Sequence, residues 1–269
     1  MKRELFAAAA IPILVFTIGW LPPWGFLVIL AVAALFACDE YLNLARAAEI
    51  AAGRWLPLGL TIALLVASWC RGVNGLVVVA ISTVVILPTV RLARRDSPQG
   101  SLAGVAAESF AVLYLGTTAA CLGWLRLWPT EPSGIKILFF FLACIWVGDS
   151  GAYYVGKNFG RHKMSPTISP NKTFEGLAGG VATTYAAAAV AAYILNLGWS
   201  AVHVAALATI LAAAGPVGDL VESMFKRDSG IKDSSNLIPG HGGFLDRTDS
   251  LFYSAPFVLG YLFLSGLMK

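Results

Sequence analysis

Apolar residues run in long stretches along this chain, and polar residues are gathered into a few breaks between them. A helix needs about 20 apolar residues to cross a bilayer, with a range of roughly 17–25. On that measure nine spans are expected, at about 5–21, 24–38, 55–70, 74–90, 101–125, 135–154, 173–195, 199–222 and 249–268. The polar breaks are 39–54, 91–100, 126–134, 155–172 and 223–248, and the other connections are tight turns. The pattern predicts an all-α, polytopic integral membrane protein. It divides into N-terminal helices over 1–100, middle helices over 101–154 that end near Asp149, and C-terminal helices with two long polar loops over 155–269. Met1-Lys2-Arg3 before an apolar run resembles a signal peptide. That run passes through Leu21-Pro22-Pro23-Trp24 straight into the next one, so an uncleaved first span is expected.

Composition agrees with this reading. Hydrophobic residues make up 58% of the chain, charged residues 13%, and the mean hydropathy is +0.74. Soluble domains are about 25% charged, so an ordinary soluble globule, a disordered chain and a small disulfide scaffold are all excluded. The net charge of +4 suits cytoplasmic loops better than nucleic acid, for which there is no support. With nine spans and the N-terminus inside, fifteen of the nineteen Lys and Arg residues fall inside. Only Arg71, Arg126, Lys136 and Lys269 are left outside. Cys38, Cys70, Cys121 and Cys144 lie in or beside apolar runs without CxxC spacing and read as small buried hydrophobes.

Acids in or at the ends of spans are costly and point to function. Asp149 interrupts an apolar run. Asp219 and Glu222 end the eighth span on one helix face, and Asp246 and Asp249 open the ninth with the same spacing. Asp249 alone could be a helix cap; five acids gathered at the ends of three spans are not explained that way. Carboxylates at short range repel, and a hard divalent cation resolves this. Mg²⁺ is often held by one or two carboxylates together with substrate phosphates, so the cluster predicts a phosphate-bearing substrate. Glu108, in the fifth span, could pair with an Arg in the bundle.

The loop 223–248 carries Lys226, Arg227, Lys232 and Arg247 beside the acids. Its Pro239-Gly240-His241-Gly242-Gly243 turn lets backbone N–H groups approach a phosphate. In the loop 155–172, Lys157, Arg161 and Lys163 are equally well explained as charged anchors at the membrane surface. Ser169-Pro170-Asn171-Lys172-Thr173 marks a helix start, which with its Lys is also an anion site. His203 reads as a packed residue of an apolar span, and no His/Cys set suits Zn²⁺.

Ser223-x-x-Lys226-Arg227-x4-Lys232-Asp233, followed by Pro239-Gly240-His241-Gly242-Gly243-x-x-Asp246-Arg247-x-Asp249, resembles the signature of the phosphatidate cytidylyltransferase (CDP-diacylglycerol synthase) family. Ser169 to Gly176 and Trp146-x-x-Asp149-Ser150-x-Ala152-Tyr153 resemble it too. The resemblance implies that CTP and phosphatidic acid become CDP-diacylglycerol and pyrophosphate. It also implies Mg²⁺, a second cation such as K⁺, a homodimer, and a bacterial inner membrane with the active site at the cytoplasmic face. On this reading Asp219, Asp246 and Asp249 ligate metal, with Glu222 and Asp149 in or near the ligand set. Lys226, Arg227 and Arg247 act on the phosphates. Ser223, Lys232, Asp233, Gly240, His241, Gly242 and Gly243 bind substrate, and Ser169, Lys172 and Thr173 hold the other anion. Another CTP- or nucleotide-sugar-using lipid phosphotransferase would look similar. A cation-coupled transporter would place polar groups at mid-span in both halves, whereas here they gather at one face and in one half.

Overall fold

A computed structural model describes residues 12–94, 98–129, 133–235 and 242–267. Gly240, His241 and the first half of the first span lie outside the described residues. The chain is helical over 12–19 (α1), then forms α2 (Pro23–Ala47), α3 (Trp55–Ala93) and α4 (Ser101–Ala111). A π-helical turn (Val112–Gly116) leads into α5 (Thr117–Leu127) and α6 (Gly134–Phe159). Strands β1 (Lys163–Ser165) and β2 (Ser169–Thr173) precede α7 (Phe174–Ile194), α8 (Ala201–Asp228) and α9 (Leu245–Leu264).

Six helical segments among the described residues are long and apolar enough to cross a membrane: α2, α3, Ser101–Leu127, α6, α7 and α8. The chain is therefore a helical, multi-pass membrane protein. Several helices outrun the apolar stretches that announced them. α2 continues through Asp39 to Ala47, and α8 through Lys226 to Asp228, because good helix formers carry the backbone past the membrane-like part.

α3 has 39 residues and is bent. At Gly72 the backbone leaves the helical region (φ 60°, ψ −143°). Residues eight apart on a straight helix lie about 12 Å apart, yet a Cβ placed on Gly75 would strike the Ala67 carbonyl. The chain folds back at this point, where the sequence predicted two spans, 55–70 and 74–90.

The chain forms two compact units. One comprises Met1–Leu14, Leu21–Gly123 and Phe225–Thr248; the other comprises Val15–Trp20, Trp124–Met224 and Asp249–Lys269. In the first, a cluster of aromatic rings includes Tyr41, Phe110 and Phe225, with centroids 5.5–5.7 Å apart. Glu108 lies 3.5 Å from the Arg91 guanidinium and accepts the Gly53 N–H at 2.6 Å, the pairing its sequence position suggested.

In the second unit α6 and α7 lie along each other through a seam of small residues. A Cβ on Gly148 would meet Thr184, one on Gly151 would meet Thr183, and one on Gly179 would meet Val155. In a membrane, where apolar side chains gain little from leaving lipid, such close backbone approach is a main source of packing. The polar connection between these helices is a short antiparallel hairpin that pairs Lys163 with Thr173 and Ser165 with Ser169. The start of α7 thus differs from expectation. Ser169 and Pro170 are in a strand, and Thr173 is the cap, its Oγ1 accepting the Gly176 N–H at 3.1 Å. Cys38 and Cys144 are buried as expected. Cys70 is exposed, two residues before the bend in α3.

The backbone at Gly72 is in a region that only glycine occupies readily. Gly72→Val should destabilise the protein by about 1–3 kcal/mol, measured as a lower thermal midpoint in detergent. An unchanged midpoint would show that the bend does not depend on glycine.

Candidate functional site

In the second unit, α8 presents Asp219 and Glu222 one turn apart, and α9 brings Asp249 to them. One carboxylate oxygen from each of the three lies within 4.8 Å of the others. Small residues permit this approach. A Cβ on Gly218 would come within 2.7 Å of Tyr253 and 2.9 Å of the Asp249 carbonyl, while Ser250 Oγ donates to the Gly215 carbonyl at 3.1 Å. Lys172, at the end of β2, lies 2.9 Å from Asp219 and donates to the Pro216 carbonyl at 3.3 Å. Ser223 Oγ donates to Asp219 at 3.3 Å, and the Ser250 N–H to Asp249 at 2.6 Å. Asp149 lines a small cavity with Gly215, Pro216 and Thr184, within electrostatic reach of Asp219 and Lys172.

With an effective dielectric near 20, unit charges 4.8 Å apart repel by about 3 kcal/mol. Three such groups are held together only where something compensates them. All the donor atoms are hard oxygens, so the set suits a hard cation such as Mg²⁺ better than a soft, thiolate-seeking metal.

In the first unit, the last turn of α8 and the first turn of α9 make a second, tighter arrangement. Lys226 Nζ lies 2.5 Å from Asp246 Oδ1, with both side chains at least nine-tenths buried. Asp246 Oδ2 accepts from Ser234 Oγ at 2.7 Å, from the Ser234 N–H at 3.1 Å and from the Gly243 N–H at 2.8 Å. Burial works to raise the Asp246 carboxyl, but the bonds from Lys226, the Gly243 N–H and Ser234 outweigh it and bring its pKa down to about 2. Gly242 has φ +76°, and a Cβ there would come within 2.6 Å of Asp246 Oδ2, so this turn requires glycine.

Residues 1–265 match the Cytidylyltransferase family. The chain belongs to that family. It is 33% identical over 229 residues to the phosphatidate cytidylyltransferase of Staphylococcus aureus (strain COL), covering 84% of this chain and 85% of the relative. It is 43% identical over 125 residues to the Bacillus subtilis (strain 168) phosphatidate cytidylyltransferase, a stretch spanning 46% of each chain. The Staphylococcus epidermidis (strain RP62A) protein of the same name is 38% identical over 146 residues, 54% of each chain.

In this cytidylyltransferase the expected site residues fall into two sets. Asp219, Glu222 and Asp249 come together, with Lys172 and Ser223 bonded to Asp219 and Asp149 nearby. Asp246, expected beside them, is bonded within the other unit to Lys226, Ser234 and Gly243. Lys232, Asp233 and Arg247 are exposed, and Arg227 donates to the Ile231 carbonyl at 3.4 Å. Thr173 is occupied as the α7 cap, and Ser169 is paired in the hairpin. His203 bonds the Tyr261 hydroxyl at 2.9 Å, which agrees with a packing role.

Glu40 is not among the residues expected from the sequence. It is 1% exposed and accepts hydrogen bonds from Ser234, Ser235, Phe244 and Leu245. The only signal in the sequence was a Glu next to Asp39 at the end of an apolar run, in a chain with just 15 acids.

Removing one partner of a buried ion pair costs about 3–5 kcal/mol, since it strands the other charge. Lys226→Met and Asp246→Asn should each lower the thermal midpoint markedly. The double variant should lose clearly less than the sum of the two; strict additivity would mean that Lys226 and Asp246 do not stabilise each other.

Proposed function

We propose that this cytidylyltransferase acts on CTP and phosphatidic acid and releases CDP-diacylglycerol and pyrophosphate. The observation that carries this reading is the Asp219, Glu222 and Asp249 cluster with Lys172 bonded to it, in a family of cytidylyltransferases whose named relatives use phosphatidate. A phosphatidate phosphate oxygen attacks the α-phosphorus of CTP. The bond to the β-phosphate oxygen breaks, and pyrophosphate leaves with its electron pair. The nucleophile needs no strong base, because a phosphate monoester has its second pKa at roughly 6. The remaining task is to position two polyanions and to offset their charge.

The chain's residues divide this task. Lys172, beside the capped start of α7, offers an ammonium and a helix N-terminus to the lipid phosphate. The exposed Lys232 and Arg247, with the Gly242 backbone, take the triphosphate of CTP. Asp246 keeps Lys226 and the described ends of that loop in place. Asp219, Glu222 and Asp249 would hold Mg²⁺, and Asp149 offers a further carboxylate to a second cation such as K⁺. Bound there, a divalent ion would neutralise charge on the phosphates and the leaving group.

The Lys and Arg bias supports nine crossings with the N-terminus in the cytoplasm, in a bacterial cytoplasmic membrane. That topology gives the two loops an aqueous face where a nucleotide is present, while the lipid arrives from the bilayer. The homodimer implied by the family resemblance is part of the same reading.

Purified protein incubated with radiolabelled CTP, phosphatidic acid and Mg²⁺ should give a labelled CDP-lipid. Asp219→Asn and Asp249→Asn should lower kcat by at least about 100-fold while the protein stays monodisperse in detergent. A wild-type protein that forms no labelled lipid, with or without K⁺, overturns the reading. Variants that turn over like wild type overturn the roles of those two acids.

A further inference from the structure

Glu40 is on α2, far in sequence from the loop between α8 and α9, and it is almost completely buried. Its two carboxylate oxygens are used in the same way. Oε1 accepts from Ser235 Oγ at 2.6 Å and from the Phe244 N–H at 3.0 Å. Oε2 accepts from Ser234 Oγ at 2.9 Å and from the Leu245 N–H at 2.8 Å. Each oxygen therefore joins one serine that follows α8 to one backbone amide at the start of α9. Phe36, one turn earlier on α2, stacks its ring on Phe244 with centroids 4.9 Å apart. Gly243 fits against this arrangement only without a side chain, since a Cβ there would strike both Ser234 Oγ and Glu40 Oε2.

No cation lies within ion-pair distance of Glu40 among the described residues. The charge is balanced by two hydroxyls, two amides and the positive end of the α9 dipole. A buried carboxylate is an expensive way to fill space, and leucine would do that more cheaply. What the carboxylate provides is a rigid four-point clamp. It fixes Leu245, the residue immediately before Asp246 and Arg247 and four before Asp249. Ser234 Oγ, with its one proton, lies between Glu40 Oε2 and Asp246 Oδ2, so the clamp and the Lys226–Asp246 pair share a member.

We propose that Glu40 is a positioning residue for nucleotide binding: its carboxylate ties the serines after α8 to the amides that open α9, and so sets Lys232, Gly242 and Arg247, which receive the triphosphate. This rests on the cytidylyltransferase reading above. Glutamine keeps the shape of the side chain but turns one oxygen into an NH₂ that faces a backbone amide, and that amide cannot reverse its role. Aspartate keeps both oxygens and is one methylene too short.

The test compares wild type, Glu40→Gln and Glu40→Asp, with a Ser234→Ala/Ser235→Ala double variant in case the Glu40 variants do not fold. Steady-state kinetics should show the KM for CTP raised about 10- to 100-fold, with the KM for phosphatidic acid within about twofold of wild type. The double serine variant should move in the same direction by less. In parallel, hydrogen exchange without substrates should show the Phe244 and Leu245 amides protected in wild type and exchanging faster in the variants. Two results would overturn the proposal. One is a folded Glu40→Gln protein with wild-type KM for CTP, even if its thermal midpoint is lower. The other is exchange at 244 and 245 that ignores the substitution. If wild type makes no CDP-lipid, it is the functional reading that fails, and the exchange measurement still decides whether the clamp exists.

Discussion

A carboxylate inside an apolar protein must be compensated, and this constraint shapes the whole chain. Acids are few, and the structure gives them well-defined partners. Asp39 takes a two-pronged bond from Arg54, and Glu108 takes Arg91 and a backbone amide. Asp246 takes Lys226, Ser234 and Gly243, and Glu40 takes four neutral donors. Asp219, Glu222 and Asp249 differ because, besides the bonds from Lys172 and Ser223 to Asp219 and from Ser250 to Asp249, they lie close to one another. Like charges gathered on two helices are a poor way to stabilise a protein and a good way to receive a cation.

Small residues make these arrangements possible. Gly215 and Gly218 let α8 and α9 meet at backbone distance, Gly242 and Gly243 leave room around Asp246, and the α6–α7 seam is built from Gly148, Gly151 and Gly179. Apolar bulk has little to contribute to association in a membrane, so close approach and polar bonds take over. The same logic accounts for a hairpin and a Thr173 cap at the start of α7, where a flexible polar connection would leave Lys172 loosely placed.

Much of this was legible in the chain. The apolar runs locate the helices, and the i, i+3 spacing of Asp219 and Glu222 places them on one face, where Asp249 joins them. Even the fold-back in α3 was marked by two separate runs, with Gly72 supplying the backbone conformation. What was not legible depends on distant or local polar geometry. Glu40 meets partners about 200 residues away, which no periodicity reveals. Asp246 and Asp249 share a helix but take different partners: Asp246 bonds Lys226, Ser234 and Gly243, and Asp249 lies with Asp219 and Glu222. The hairpin over 163–173 is too short and too polar to carry an alternating pattern.

If the Asp219, Glu222 and Asp249 cluster holds a divalent cation, Mn²⁺ should bind there. Electron paramagnetic resonance of Mn²⁺ titrated into the detergent-purified protein, with no nucleotide or lipid substrate present, measures this binding. The binding should be saturable, displaced by Mg²⁺, and weaker by at least about tenfold in Asp249→Asn. Binding of equal strength in wild type and Asp249→Asn would contradict a cation site at these acids.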